Sequence, residues 1–230
     1  MADLIKVSIK IVGLGGVGSI LAERLCRFLN YSQDHEASII LIDGDEYEAK
    51  NYIRQEFSSI GNKAEVKAVE LQMKFPSIKF GAMDAFINES NISDFIKEGD
   101  VVFVCVDNHK SRMIISRYCQ CLQDVTVISG GNEYTDGNVQ LYARRQGKDM
   151  SPDLCAYHPE IASPNDKLPE EMSCEELAQS DPQLYFVNLG VATLMCWTFY
   201  NAIVRGSYER SEVYFDMLNM TTDAKIRIVK

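Results

Sequence analysis

Four glycines crowd one short stretch, Gly13, Gly15, Gly16 and Gly18, within "IKIVGLGGVGSILAERL" at residues 9–25. Apolar, β-prone residues (Ile9, Ile11, Val12) precede them and a helical pattern follows, so the stretch reads as strand, turn and helix. Glycines let a backbone turn sharply and approach a ligand closely. The helix that follows aims unpaired N–H groups and the positive end of its dipole at an anion. Gly13-x-Gly15-x-x-Gly18 therefore describes a phosphate-binding turn. A nicotinamide or flavin dinucleotide fits it, another nucleotide fits it equally, and tight packing is the bland alternative.

The second strand narrows the choice. Asp43 ends "ASIILID", where a dinucleotide enzyme keeps an acid for the adenosine ribose. Beyond it, "LIDGDEYEAKNYIRQEF" brings Asp45, Asn51, Arg54 and Gln55. A nicotinamide site has no use for an arginine and an amide beyond the ribose acid. A triphosphate does, because planar guanidinium and amide donors bind its concentrated charge.

Together the glycine turn with Ser19, the Asp43-x-Asp45 pair and Asn51-x-x-Arg54-Gln55 resemble the signature of the ThiF/MoeB and ubiquitin-activating superfamily of adenylating enzymes. Downstream, "IGNKAEVKA" resembles the segment supplying that superfamily's phosphate lysine, and "VCVDNHKSR" its Asp-Asn-x-x-x-Arg segment. The resemblance spans about residues 7–205. It implies ATP and Mg²⁺: the Gly15–Gly18 backbone approaches the phosphates, Asp43 receives the ribose hydroxyls, Asn51 and Arg54 contact the phosphate chain, Lys63 neutralises it, and Asp107 holds Mg²⁺. Gln55 and Asp45 belong to the same constellation, although Asp45 also suits a turn. Lys67, one helical turn beyond Lys63, is the alternative phosphate lysine. Asn108 and Arg112 have capping and packing as alternative roles.

Seven cysteines without regular spacing point to a reducing cytoplasm rather than a disulfide framework, and no signal peptide is expected before the first strand. Cys26, Cys105, Cys119, Cys121 and Cys196 have the apolar surroundings of structural thiols. Cys155 and Cys174 fall instead in a polar, proline-rich segment at 146–183. Cys174 precedes the long apolar helix as the catalytic cysteine does in ThiF-like and ubiquitin-activating enzymes. The resemblance thus implies an acyl transfer to Cys174, forming a thioester or acyl disulfide. Glu170, Glu171, Glu175 and Glu176 oppose a thiolate there. Cys155 is the reserve nucleophile. Cys155-x-x-His158 lacks a second ligand pair, so zinc is not expected.

These residues need a scaffold, and the alternation of strands and helices supplies one: an α/β, Rossmann-like doubly wound mixed sheet, parallel in its N-terminal half and antiparallel in its C-terminal strands. We expect one adenylation domain over residues 1–230, with 146–183 as an irregular crossover segment. Expected strands are 5–12, 37–43, a short one within "SIKFGAMDAF", "DVVFVCVD", "VTVISGG", "NVQLYARR", and a terminal hairpin turning at "TTD". Expected helices are 18–30, 62–74, a short one in "NISDFIKEG" capped by Ser90 or Asn91 and stopped by Gly99, 109–123, and 184–204. Residues 183–206 approach the length of a membrane span. Asn188, Thr193, Thr198 and Asn201 interrupt them, which favours a core helix buried on most sides.

The net charge of −10 disfavours nucleic acid and anionic membranes as partners. By resemblance the substrate is a ubiquitin-like or sulfur-carrier protein with a flexible glycine tail, a conjugating enzyme is a further partner, and the apolar helix pairs two copies into a homodimer. Three rivals are an enzyme adenylating a peptide or small-molecule carboxylate without a cysteine, a catalytically silent scaffold subunit, and a nicotinamide oxidoreductase.

Overall fold

The computed structural model describes residues 5–31, 35–47, 57–171 and 184–229. β1 (Ile5–Val12) runs into the glycine turn and α1 (Gly16–Tyr31), then β2 (His35–Ile42) pairs parallel to β1, with Ile9 beside Ile39. Two short strands, β3 (Glu46–Tyr47) and β4 (Gly61–Asn62), pair antiparallel before α2 (Lys63–Lys74). β5 (Lys79–Met83) joins β2, and α3 (Ile92–Phe95) leads to β6 (Val101–Val104), which lies parallel to β1 on its other side. All four residues of β6 are buried, as in a parallel strand covered on both faces.

After α4 (His109–Cys119) the sheet changes character. β7 (Val125–Asn132) is parallel to β6, whereas β8 (Asp136–Arg145) returns antiparallel to β7. The minor strand β9 (Lys148–Asp149) and short α5 (Pro159–Ala162) follow. The long helix α6 (Tyr185–Phe199) continues as a π-helical turn over Tyr200–Val204, and β10 (Glu212–Asp216) and β11 (Thr221–Lys225) close the chain. Among the described residues the main sheet runs β11-β10-β8-β7-β6-β1-β2-β5, with β9 beside β8. That is the expected mixed, doubly wound architecture.

Each face of the sheet has its own core. On one, Ile9, Ile11, Leu41 and Phe103 pack under Leu21 and Leu25 of α1 and Val191, Met195 and Phe199 of α6. On the other, Val102, Val104, Val127 and Tyr142 meet Ile114 and Ile115 of α4 and then Leu154, Ile161 and Leu168. The last three come from the crossover segment, so its described part is a packed cover rather than a loose loop. Each such aliphatic side chain, taken fully out of water, contributes about 1.5–3 kcal/mol.

Several boundaries differ from expectation for identifiable reasons. α4 ends at Cys119 rather than 123, because the Glu98 carboxylate accepts the N–H groups of Gln123 and Asp124 and draws the chain out of the helix. Asn91 stands at the N-cap of α3 without capping it; its Oδ1 accepts the Asn88 N–H instead. Ile96 closes that helix, three residues before Gly99. The terminal hairpin turns at residues 217–220, not at "TTD", since Asp216 is paired with Thr221 and its carboxylate holds Asn219. Finally, α6 and its π-turn are only half buried: Val187, Asn188, Val191 and Met195 face the core, while Phe186, Trp197 and Tyr200 are exposed. Among the described residues this is the one helix long and apolar enough to cross a membrane, by length and composition.

Candidate active site

The order β6-β1-β2 places a topological switch point between β1 and β6, from which the chain winds in both directions. In open α/β sheets the crevice beyond the carboxyl ends of such strands is where ligands bind. Here those ends are stitched together by backbone: the Gly13 N–H donates to the Ile42 carbonyl at 2.9 Å and the Cys105 N–H to the Val12 carbonyl at 2.8 Å. The glycine turn, Asp43 and the approach to Asp107 therefore come to one place.

Two glycines are required by geometry. Gly13 adopts φ +86°, and a Cβ on it would lie 2.9 Å from the Cys105 carbonyl oxygen. A Cβ on Gly18 would lie 1.9 Å from the Gly13 carbonyl oxygen. The turn is thus folded tightly onto the start of α1, whose first turn carries no acidic side chain to compete for an anion.

Asp43, 7% exposed, spans the turn. One carboxylate oxygen accepts the Leu14 N–H and the other accepts the Asp45 N–H at 2.8 Å. Burial pushes its carboxyl up, against the pull of the Lys63 charge and these two N–H groups. A carboxylate has about four lone-pair positions, so two remain for hydroxyl donors. Lys63, at the first position of α2 and 7% exposed, ion-pairs with Asp45 at 2.8 Å. Asp107 is exposed three residues past β6. Asn51, Arg54, Gln55 and Cys174 lie outside the described residues.

Lys67 has a different environment from Lys63. Its ammonium pairs with Glu70 at 2.6 Å and lies 4.4 Å from the centroid of the Phe57 ring. Asn108 caps α4 by accepting the Ser111 N–H at 2.8 Å. Arg112, buried beneath, donates to the carbonyls of Val106 and Gly130 and to Ser129 Oγ, at 2.6–2.7 Å. Burial pulls its guanidinium down, while Asp107 and Asp166 help hold the charge. Both residues therefore serve capping and packing.

Sequence reasoning missed the contacts made by Asn62, Asp166 and Glu171. Asn62 Nδ2 donates to the backbone carbonyl of Asp43 at 2.9 Å and to the Asp84 carboxylate at 2.8 Å, while its Oδ1 caps α2 at Glu65. The Asn-x-x-Glu spacing at the start of α2 was the available signal. Asp166 accepts the N–H groups of His109 and Lys110 at the start of α4, and Glu171 pairs with Lys110 at 2.7 Å. The crossover segment is thereby bolted beside Asp107.

Cys155 is half-buried against the middle of α4, where the N–H of neighbouring Leu154 donates to Ser116 Oγ at 3.2 Å. Seven residues separate Ser116 from the start of α4, about 10 Å along the axis. Burial and Asp153 push the Cys155 thiol up. The His158 ring nitrogens are engaged by Glu160 and Glu212, and among the described residues no cluster has the makings of a metal site of three or more His, Cys, Asp or Glu. Burial, with a smaller push from Glu23 on Cys26 and from Cys196 on Cys105, drives both thiols up to about 12.

Comparison with known proteins identifies relatives and a shared fold. The tRNA threonylcarbamoyladenosine dehydratase of Haemophilus influenzae is 30% identical over 142 residues, which cover 59% of this chain and 52% of that protein. The ubiquitin-like modifier-activating enzyme 5 of Bombyx mori is 31% identical over 149 residues, covering 58% of this chain and 36% of that enzyme. This chain thus matches about half or less of the length of these relatives. Escherichia coli MccB, in a crystal structure with ATP, superimposes with a TM-score of 0.74 at 19% identity, covering 96% of this chain and 63% of MccB. The fold is shared. Residues 1–220 match the profile of the ThiF family, and the chain belongs to that family.

Proposed function

We propose that this protein is an ATP-dependent adenylating enzyme that activates the C-terminal carboxylate of a ubiquitin-like or sulfur-carrier protein and passes the acyl group to Cys174. The observation that carries the reading is the convergence of four groups at the strand ends: the tight glycine turn opening α1, Asp43 behind it, the Lys63–Asp45 pair and exposed Asp107. These supply N–H donors and a cation for phosphates, acceptors for a ribose, and a carboxylate for a hard cation. The donor set fits Mg·ATP: Asp107 would hold the ion, and Mg²⁺ bound there would neutralise phosphate charge. A carboxylate oxygen of the carrier attacks the α-phosphorus, the bond to the β-phosphate oxygen breaks, and pyrophosphate leaves. Cys174 sulfur then attacks the acyl carbon and AMP departs. ATP in the MccB crystal structure, and a relative named as a ubiquitin-like modifier-activating enzyme, support the reading.

ATP–pyrophosphate exchange dependent on a carrier protein tests the first step, and calorimetry with NAD in place of ATP tests the nucleotide. Tight NAD binding without ATP binding would sink the proposal. Cys174→Ala should keep the exchange and lose a reductant-sensitive adduct with the carrier, whereas Cys155→Ala should keep both. A second reading, adenylation of a small or peptide carboxylate without a cysteine, is favoured by the 30% identity to the tRNA-directed dehydratase. Exchange that continues with a free peptide, with Cys174→Ala fully active through to product, would establish it.

We also propose a homodimer through α6, because Phe186 is 71% and Trp197 61% exposed on its outer side. A two-fold interface would cover them. Sedimentation that finds a monomer far above micromolar concentration would refute this.

A further inference from the structure

Val104, Ser129, Gln140 and Glu212 are register partners in one row across β6, β7, β8 and β10, so their side chains share the sheet face that α4 and α5 cover. Gln140 is the anomaly of that row. It is 6% exposed, and among the described residues it alone leaves both polar side-chain atoms buried without a hydrogen-bond partner. Turning the amide over changes nothing, because oxygen and nitrogen are equally unpaired. Such a group costs stability in a closed core. Its neighbour on β10 is the Glu212 carboxylate, and side chains directly opposite on paired strands start from Cβ atoms about 4.5–5.5 Å apart, within reach of a hydrogen bond.

Glu212 is already engaged. Oε1 accepts from the Tyr214 hydroxyl at 2.5 Å and meets His158 Nε2, while Oε2 accepts from Arg227 Nε at 2.6 Å. Tyr214 and Arg227 follow Glu212 in the chain. His158 alone comes from the crossover segment, immediately before α5. That short helix has a slender hold on the sheet: it buries one side chain, Ile161, and further contacts of its neighbourhood are exposed, with Arg117 donating to the Ala162 carbonyl at 3.4 Å and the Tyr157 hydroxyl to the Ile228 carbonyl at 2.8 Å.

We propose that Gln140 is a spare donor for Glu212, and that residues 157–163 form a lid released by an exchange of partners. Closed, His158 holds Glu212 and the Gln140 amide goes unpaired. Open, His158 leaves with α5, a Gln140 Nε2–H takes its place on Oε1, and the carboxylate keeps three donors throughout. The closed state thus carries an unmet amide that the open state satisfies, which brings the two close in free energy. Opening bares the sheet face near the carboxyl ends of β6 and β7 and gives an incoming chain a way to the crevice there. The lid does not depend on the adenylation reading, since the exchange needs no nucleotide.

Hydrogen exchange followed by mass spectrometry tests it on the whole chain without ligand. The N–H groups of Ile161, Ala162 and Ser163 bond to the His158 and Pro159 carbonyls, and so short a helix has no protection of its own once undocked. Gln140→Met keeps the side chain's length but removes both the unmet amide and the spare donor, so exchange at 161–163 should slow about tenfold. His158→Leu in the unaltered chain should speed it less than about threefold, because Gln140 then serves Glu212 in the closed state; in the Gln140→Met background the same change should speed it about tenfold or more. Thermal melting checks that each variant is folded, and Gln140→Leu replaces Gln140→Met if needed. Unchanged or faster exchange in the Gln140 variants overturns the proposal, as does failure of both to fold, since the amide would then be bonded in the closed state. Equal effects of His158→Leu in the two backgrounds would also overturn it, because residues 140 and 158 would then not share Glu212.

Discussion

Charged groups at the ends of β1, β2 and β6 keep part of their bonding capacity, whereas those between the crossover segment and β10 spend theirs on each other. In the first region Asp43 uses one backbone N–H per oxygen, Asp45 is half exposed beside Lys63, and Asp107 faces solvent. In the second, Glu212 is 3% exposed and takes hydrogen bonds from Tyr214, from Arg227 at 2.6 Å and from His158, whose other ring nitrogen meets Glu160 at 2.7 Å. Burial raises the Glu212 carboxyl, yet these donors overcome it and hold the group at about 2. Both regions are polar and lie along one sheet. One keeps donors and acceptors open at the strand ends, the other fastens the crossover segment and the C-terminal residues to the sheet.

Substitutions should therefore separate the regions by what they damage. The largest effect is expected from Asp107→Ala: a loss of about 10²–10³-fold or more in pyrophosphate exchange, with the melting temperature nearly unchanged because the side chain is exposed. A large drop in melting temperature would place Asp107 in the fastening class instead. Arg112→Met should do the reverse, costing about 3–5 kcal/mol in urea unfolding by leaving two buried acceptors and one part-buried acceptor without their charged donor. Next comes Gly18→Ala, whose Cβ must displace the Gly13 carbonyl. It should cost about 2–3 kcal/mol through overpacking and remove nucleotide binding. Gly99→Ala, at φ +79° with nothing within 4 Å, should cost only about 1–2 kcal/mol of backbone strain and leave binding intact.

The smallest effect is a pH dependence in the fastened region. Burial lowers the His158 pKa, but Glu212 and Glu160 outweigh it and raise it above the ordinary 6.5. A group raised on folding contributes its stability fully below 6.5 and loses it as pH climbs through the folded value. The stability difference between the unaltered protein and His158→Gln should thus be about 1 kcal/mol in mild acid and shrink above neutrality. A difference that grows with pH would mean that His158 is held neutral.

The two regions were also unequally legible in the sequence. Gly13 to Gly18, Asp43, Asp45, Lys63 and Asp107 announce themselves because short-range spacing sets them on the turn and at the strand ends of the proposed site. The sheet's parallel-then-antiparallel order was readable for the same reason, from apolar runs and turn residues. His158, Glu212 and Arg227 carried no such signal: they meet across 54 and 15 residues of separation, through packing that no local pattern encodes. Asp166 at the start of α4 is likewise a contact over more than 50 residues. The half-exposed α6 was misjudged because composition measures how apolar a helix is, not how many neighbours surround it.

β11 ends the sheet, and among the described residues nothing pairs with its outer side. Every residue from Thr221 to Lys225 is exposed, with Met220, Ile226 and Ile228 close by at 66–89% exposure. An open edge flanked by apolar side chains is a template for strand-by-strand growth between molecules, and Asp223 and Lys225 are its local deterrent. The long-range deterrent is the net charge of −10, which acts only while it is felt across the gap between copies. At about 0.1 M salt that reach is about 10 Å, and it shortens as salt rises. Concentrated solutions of this protein should accordingly keep longest at low ionic strength, and turbidity on salting should track the length and charge of this one strand.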